Sequence, residues 1–390
     1  MNQRIMIDLF SGAGGLSCGL EMAGFQPILA NEMVHQYATT YKKNHANTHV
    51  IVEDIRNISN DCIKSSIPDD CKVDLVAGGP PCQGFSINAP IRSLDDPRNH
   101  LFKEFLRVVE LTNPKAVLIE NVPGIISLGQ GTVIEQIYIF LKRLGYHVNH
   151  RILFAGHYGV PQTRFRTIII ALKNDNVRFP LPEYYSTAVA NFSSSKELCY
   201  NLTPIDRLTL KPQTTVWNAI GDLPEIEGGD KNGDYQYTIP AQSDFQNYVR
   251  NNSTSITSHF CARLSKINLE RLNYIPQGGS WRDIPTDLLP NGLKRARRSD
   301  HTKRYGRLSP DDLCSTIMTK CDPHWGSFFH PYQARALSVR EAARIQSFPD
   351  IYSFTGNMTE QYEQVGNAVP PLLARAVGKS IEQSLRESNL

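Results

Sequence analysis

The chain has 390 residues, 41% of them hydrophobic, a net charge of +3 and eight cysteines. That is room for one large α/β domain and a smaller one around an ordinary soluble core. No apolar run nears the roughly 18 residues of a membrane helix, and Met1-Asn2-Gln3-Arg4 leads into Ile5-Met6-Ile7 without a signal peptide, so a cytoplasmic protein with no membrane attachment is expected. Cys18, Cys62, Cys71, Cys82, Cys199, Cys261, Cys314 and Cys321 form no C-x-x-C pair, which excludes a zinc ribbon or redox dithiol, and no metal site is expected.

Strands are predicted over 4–10, 27–32, 50–52, 73–77 and 116–121, and helices over 16–24, 35–43, 101–111 and 133–144. Two further strands, 146–154 and 167–172, follow with a loop too short for a crossover helix, so they should form an antiparallel hairpin at one end. The alternation predicts an α/β fold with a doubly wound, mainly parallel sheet. After Phe179-Pro180-Leu181-Pro182 the chain becomes turn-rich, and helical spacing returns at 338–345 and 369–385. The expected division is 1–182, a second, smaller domain over 183–335, and a return to the first over 336–390. Residues 181–249 hold 4 Lys/Arg against 9 Asp/Glu, whereas 250–335 hold 14 against 7. Within the latter, Lys294, Arg295, Arg297, Arg298, Lys303 and Arg304 crowd into eleven positions, a face suited to a polyanion.

In an open α/β sheet, ligands sit at the carboxyl ends of the strands. The first strand opens into Phe10-Ser11-Gly12-Ala13-Gly14-Gly15, where backbone can approach a ligand closely. Glu32 follows about twenty residues later, placed for ribose hydroxyls, and Asp54 follows the third strand, placed for an adenine amino group. Ser17 breaks the pattern G-x-G-x-x-G, which argues against a pyrophosphate and leaves a nucleoside cofactor. The fourth strand runs into Gly78-Gly79-Pro80-Pro81-Cys82-Gln83-Gly84, a loop that displays its cysteine. Glu120 ends the apolar fifth strand beside it. Alternation in Gln162-Thr163-Arg164-Phe165-Arg166 sends both arginines to one side, where two guanidinium forks would lower the thiol pKa from about 8.5 and hold an anionic substrate.

These stretches resemble the motifs of the DNA cytosine-5 methyltransferase family of bacterial restriction–modification systems. The resemblance runs through Asp8 to Gly15, Pro80-Pro81-Cys82-Gln83, Glu120-Asn121-Val122 and Gln162 to Arg166, then Arg340 to Pro349 and Gly366-Asn367-Ala368-Val369, in the family's order; 183–335 corresponds to its variable target-recognition region. It implies the S-adenosylmethionine-dependent methyltransferase fold with an irregular target-recognition domain, S-adenosyl-L-methionine as cofactor, and double-stranded DNA as partner, the protein acting as a monomer without an obligate protein partner. It implies that the Cys82 thiolate adds to C6 of a flipped-out cytosine, that Glu120 protonates N3, that Arg166 contacts the base, and that Arg164 helps hold the nucleotide's backbone. It further implies a cofactor pocket of Phe10, Gly12, Ala13, Gly14, Gly15, Glu32, Met33, Asp54, Ile55, Pro80, Leu101, Asn367 and Ala368, Met33 standing where the family usually has an aromatic residue. DNA contacts would come from Gln83, Ser86 and the cations from Lys294 to Arg304. A tRNA methyltransferase of the same fold shares the cysteine and acid motifs, and a catalytically inactive DNA-binding paralogue would show one of them damaged; both are intact here.

Overall fold

The computed structural model describes residues 3–68, 71–81, 100–173, 177–186, 200, 202–230, 232–251 and 253–388. The chain divides into two compact units, the first made of Met1–Tyr158, Phe165–Lys211 and Val369–Leu390, the second of Gly159–Arg164 and Pro212–Ala368.

The first unit is built on seven strands: β1 (Arg4–Leu9), β2 (Phe25–Asn31), β3 (His49–Ile51), β4 (Leu75–Gly78), β5 (Ala116–Asn121), β6 (His147–Phe154) and β7 (Phe165–Leu172). Their order is β3-β2-β1-β4-β5-β7-β6. β1 to β5 pair in parallel, whereas β7 runs antiparallel to both β5 and β6. The expected hairpin is therefore present, with its second strand inserted next to β5. The short link from Phe154 to Phe165 permits only an antiparallel return.

The central strands are nearly continuous runs of apolar residues because both their faces are covered. Ile7, Leu9, Val76, Val117 and Ile119 form one core with Phe105, Val108 and Val109 of α4 (His100–Thr112) and Ile134, Ile137 and Leu141 of α5 (Thr132–Arg143). Met6, Ala77 and Leu118, pointing the other way, are buried as well. Each such side chain contributes about 1.5–3 kcal/mol on burial. The stretch Pro123–Arg143 is long and apolar enough to cross a membrane by length and composition. It is not one rod, however: Gly129, Gln130 and Gly131 take φ of 52, 59 and 93°, which separate a 3-10 segment from α5.

The second unit uses shorter pieces. The expected helix near 338–345 spans Val339–Ile345, opened by a reciprocal cap between Ser338 and Glu341. A helix at Met358–Asn367 was not expected, because its sequence is mostly polar; Asn357 and Glu360 cap it reciprocally, and Tyr362 and Val365 anchor it.

Helix Gly15–Glu21 packs against the C-terminal helix Pro371–Glu387 at very short range, because both carry a glycine in the seam. A Cβ on Gly19 would stand 2.2 Å from the Pro371 carbonyl oxygen and 2.5 Å from the Ala374 Cβ, and one on Gly378 2.7 Å from the Ala23 Cβ. Gly19→Ala should therefore destabilise the protein by about 1–3 kcal/mol despite alanine's better helix propensity. A urea midpoint equal to or above wild type would show that the seam has slack.

Candidate active site

β1 ends at Leu9, and the chain reverses through residues in left-handed backbone: Phe10 at φ 56°, Gly12 at 55° and Gly14 at 92°. Glycine accepts this readily, whereas Phe10 is held in it by the surrounding bonds. The Ser11 N–H donates to the Asn31 carbonyl at 3.0 Å, and the Gly14 N–H to the Ser11 carbonyl at 2.9 Å. Glu32, buried just past β2, accepts from the Gly12 N–H at 2.9 Å and from the Val34 N–H at 2.8 Å. Burial pushes its carboxyl pKa up, against those two backbone donors. The ends of β1 and β2 are thus joined by one carboxylate.

A Cβ on Gly12 would meet nothing within 4 Å, so the loop faces open space. Around it stand the half-buried Phe10 ring, Glu32 and the buried Ile55. That set, one acid among apolar surfaces, fits an adenosine-type group and, among the described residues named here, offers no cation for a pyrophosphate. Met33 is 63% exposed. Asp54 caps the turn Ile55–Asn57 by accepting from the Arg56 N–H at 3.0 Å and forms an exposed ion pair with the Arg56 guanidinium.

β4 closes at Gly78, and the chain leaves through Gly79-Pro80-Pro81. The Asn121 amide donates to the Pro80 carbonyl at 2.9 Å, tying this turn to the end of β5. Glu120 lies one residue earlier, and a Cβ on Gly79 would stand 3.1 Å from its Oε2, so glycine is what lets the turn pass beside the acid. The Arg166 Nε donates to Glu120 Oε1 at 2.7 Å, both side chains largely buried. Burial lowers the Arg166 pKa and Glu120 works against that. Cys82, Gln83 and Ser86 lie outside the described residues. Leu101, half-buried at the start of α4, packs on the core.

Arg164 is not beside Arg166 in role. It is buried within the second unit, and its guanidinium donates to the carbonyls of Ile317 at 3.1 Å, Gly366 at 3.2 Å and Ala368 at 3.0 Å. The expected anion clamp of two arginines is thus reduced to Arg166, because alternation does not carry through the bend before β7. Asn367 is exposed and Ala368 buried in that second unit. Of the basic run, Lys294, Arg295, Arg297, Arg298 and Lys303 are exposed and Arg304 is half-buried.

Asp8, the acid that precedes the glycine loop in sequence, carries no expected role of its own. It is fully buried in β1, accepts from the Ser17 hydroxyl at 2.6 Å, and that hydroxyl lies 2.7 Å from Tyr41 Oη. Burial pushes its pKa up to about 7, with Glu32 and Glu21 adding to the rise and Ser17 opposing it.

A family model for the C-5 cytosine-specific DNA methylases matches residues 5–383. The chain is similar to the Type II methyltransferase M1.HphI of Haemophilus parahaemolyticus, 36% identical over 96% of this chain and 86% of that protein. It is also similar to the Type II methyltransferase M.DdeI of Desulfomicrobium norvegicum, 35% identical over 99% and 90%. Among solved structures, one described as a DNA modification methyltransferase encoded within a prophage (E. coli) superposes with a TM-score of 0.74 at 26% identity, over 98% of this chain and 99% of that one.

Asp8 makes stability depend on pH with a definite sign. Its folded pKa lies above the unfolded value near 3.8, so its contribution is complete below about pH 4 and is lost as pH rises through about 7. Asp8→Asn should flatten the fall in stability across that window, by about 1.4 kcal/mol for each pKa unit removed. Urea midpoints from pH 4 to 8 measure it, and parallel curves for the two proteins would show that Asp8 does not titrate there.

Proposed function

Since this chain belongs to the C-5 cytosine-specific DNA methylase family and methylates cytosine in DNA, we propose that it acts on a cytosine flipped out of a specific duplex sequence, through a transient bond between Cys82 and C6. The observation that carries this reading is the Glu120–Arg166 pair at 2.7 Å, held against the Gly79-Pro80 turn that leads to Cys82.

S-adenosylmethionine, when bound, supplies an electrophilic methyl group on a sulfonium. Glu32, Phe10, Ile55 and the backbone of Gly12 to Gly15 would hold it, with Met33, Asp54, Pro80 and Leu101 as further wall residues. Cytosine C5 is a weak nucleophile in an aromatic ring. Addition of the Cys82 thiolate at C6 breaks that aromaticity, and Glu120 provides the proton that N3 takes up, so C5 gains enamine character and can accept the methyl. Loss of the C5 proton to water then re-forms the C5–C6 double bond and expels the thiolate, and N3 gives its proton back to Glu120. Arg166 fixes the Glu120 carboxyl in place through its Nε and anchors itself by donating from Nη1 to the Phe165 carbonyl at 2.8 Å, so its Nη2 would be the group that contacts the base. Arg164 becomes a positioning residue that braces the segments around Ile317 and Gly366 to Ala368. C6 is inaccessible inside a stacked duplex, which is why flipping is required.

The names of the bacterial Type II relatives support a role in a restriction–modification system, protecting host DNA. The second unit would select the sequence. A cytoplasmic monomer meets every step, since one chain carries the whole residue set.

DNA with 5-fluorocytosine at the target should trap the protein as a denaturant-stable adduct through Cys82, because fluorine cannot leave as a proton does. Cys82→Ser should lose the adduct and nearly all turnover while still binding DNA. Glu120→Gln should slow methylation about 10²–10⁴-fold. An adduct mapping to another cysteine, or a Cys82→Ser protein with near wild-type turnover, would falsify the mechanism.

A further inference from the structure

In the second unit, Trp325 is 53% exposed, although Trp281 in the same unit is fully buried. A single exposed aromatic is ordinary; the way this one is held is not. The Arg304 guanidinium lies over its ring, 5.1 Å from the centroid, and the His324 ring meets it edge-on at 4.9 Å. His324 is itself fixed by the Tyr305 hydroxyl at 2.9 Å. The loop carrying Arg304 is bracketed by His301 and Tyr305, both at positive φ (50 and 49°), an unfavourable backbone for such side chains.

Several bonds keep that loop in place. The Trp281 indole donates to the His301 carbonyl at 3.1 Å, and the Trp281 N–H to the Arg304 carbonyl at 3.0 Å. The Ser327 hydroxyl donates to the Lys303 carbonyl at 3.1 Å, and the Tyr305 N–H to the Pro323 carbonyl at 2.6 Å. Beneath lies a core of Leu272, Ile275, Trp281, Ile284, Leu293, Tyr305 and Phe329. The basic run is continuous with this frame: Arg298 reaches the Arg282 carbonyl at 3.5 Å, and Arg282 the Thr302 carbonyl at 3.4 Å. The acids nearby, Asp283, Asp300 and Asp322, are exposed but engaged on their own turns, Asp283 accepting from the Ser280 N–H, Asp300 from the Ser299 hydroxyl and Asp322 from the His324 N–H. What faces solvent here is an indole held by one guanidinium and one imidazole ring, on the same frame as the exposed basic run.

We propose that Trp325, stiffened by Arg304, is a base-contacting residue of the DNA-recognition surface, placing its indole against a base of the duplex while Lys294 to Lys303 lie along the phosphates. The proposal rests on the reading that this chain methylates duplex DNA. A polyanion explains the cations, and only the bases offer apolar faces for an indole among them. Aromatic contacts to bases are independent of counterion release, whereas each cation–phosphate contact adds about 0.9 to the log–log salt slope.

The test uses the full chain, with duplex carrying the sequence that bisulfite sequencing shows the wild type to methylate, and unrelated duplex as the reference. Trp325→Ala should weaken binding to the methylated sequence about tenfold or more, weaken unrelated DNA less, and leave the salt slope unchanged. Arg297→Gln with Arg298→Gln should lower the slope and weaken both DNAs alike. Trp325→Phe, which keeps an aromatic face, should retain most of the affinity and lose the DNA-induced quenching of tryptophan emission seen in wild type. Wild-type affinity in Trp325→Ala, or quenching undiminished in Trp325→Phe, overturns the proposal. If the wild type itself neither binds nor methylates duplex DNA, the functional reading fails and takes this inference with it.

Discussion

Parallel strands covered on both faces leave almost no room for polar side chains along their length, and this constraint arranges everything else in the first unit. Chemistry is pushed to the strand ends. β1, β2, β4 and β5 run the same way, so their ends share one rim, and there stand the Phe10 to Gly15 loop, Glu32, the Gly79-Pro80 turn and Glu120. The rim is then bonded to itself: Glu32 joins the ends of β1 and β2, Asn121 joins the end of β5 to the turn after β4, and Arg166 at the start of β7 joins Glu120. Asp8 is the exception that stays inside a strand. A carboxylate there lacks water, so burial favours its protonated form, the Ser17–Tyr41 hydroxyl pair being its only polar company among the described bonds.

The fate of the two neighbouring arginines shows where reading from sequence stops. Alternation is a property of extended backbone, and it fails at the boundary between Arg164 and β7. Arg166 is inside the strand and keeps the expected neighbour, Glu120, because antiparallel register pairs Glu120 with Ile168 and brings Arg166 to the same end. Arg164 precedes the strand, and its partners lie more than 150 residues away, at Ile317, Gly366 and Ala368. No local pattern encodes such a contact. Asp54 is the local counterpart: its partner, Arg56, is only two residues on, and a short carboxylate before a turn readily accepts from the nearby N–H and guanidinium. The parallel sheet was legible because short continuous apolar runs bounded by turn glycines are local signals. The helix Met358–Asn367 of the second unit depends on its caps and on a few anchors, and it was not.

The second unit has little continuous secondary structure, and buried charge takes over part of the work of fixing it. Arg344, fully buried, pairs with both Asp222 and Asp350, while Arg335 pairs with Glu341 at 2.7 Å. Those pairs hold the Asp350 and Glu341 carboxyls below the usual carboxylate range, the arginines overcoming burial. Buried ion pairs add little net stability against apolar replacements, yet breaking one leaves an uncompensated charge at about 3–5 kcal/mol. They favour one arrangement of turns over its competitors, which a unit poor in long elements needs most.

This also changes what the charge count over 250–335 means. Arg250 is tied to Asp222, Arg335 to Glu341, Arg271 to the Leu288 carbonyl and Asn268, and Arg307 to the Pro331 carbonyl. Those four cations are fastened inside the unit and contribute to a fixed frame more than to an external field. The exposed remainder is concentrated between Lys294 and Lys303, on a loop whose backbone is held in place by Trp281, Ser327 and Pro323. A field from a few cations on a rigid loop is more directional than the same charge spread over mobile side chains, since less conformational entropy is lost when a polyanion docks. Internal arginines and external lysines and arginines therefore do different work: the first set fixes the frame of the unit, while the second presents its charge from a loop held by Trp281, Ser327 and Pro323, with the indole beside it.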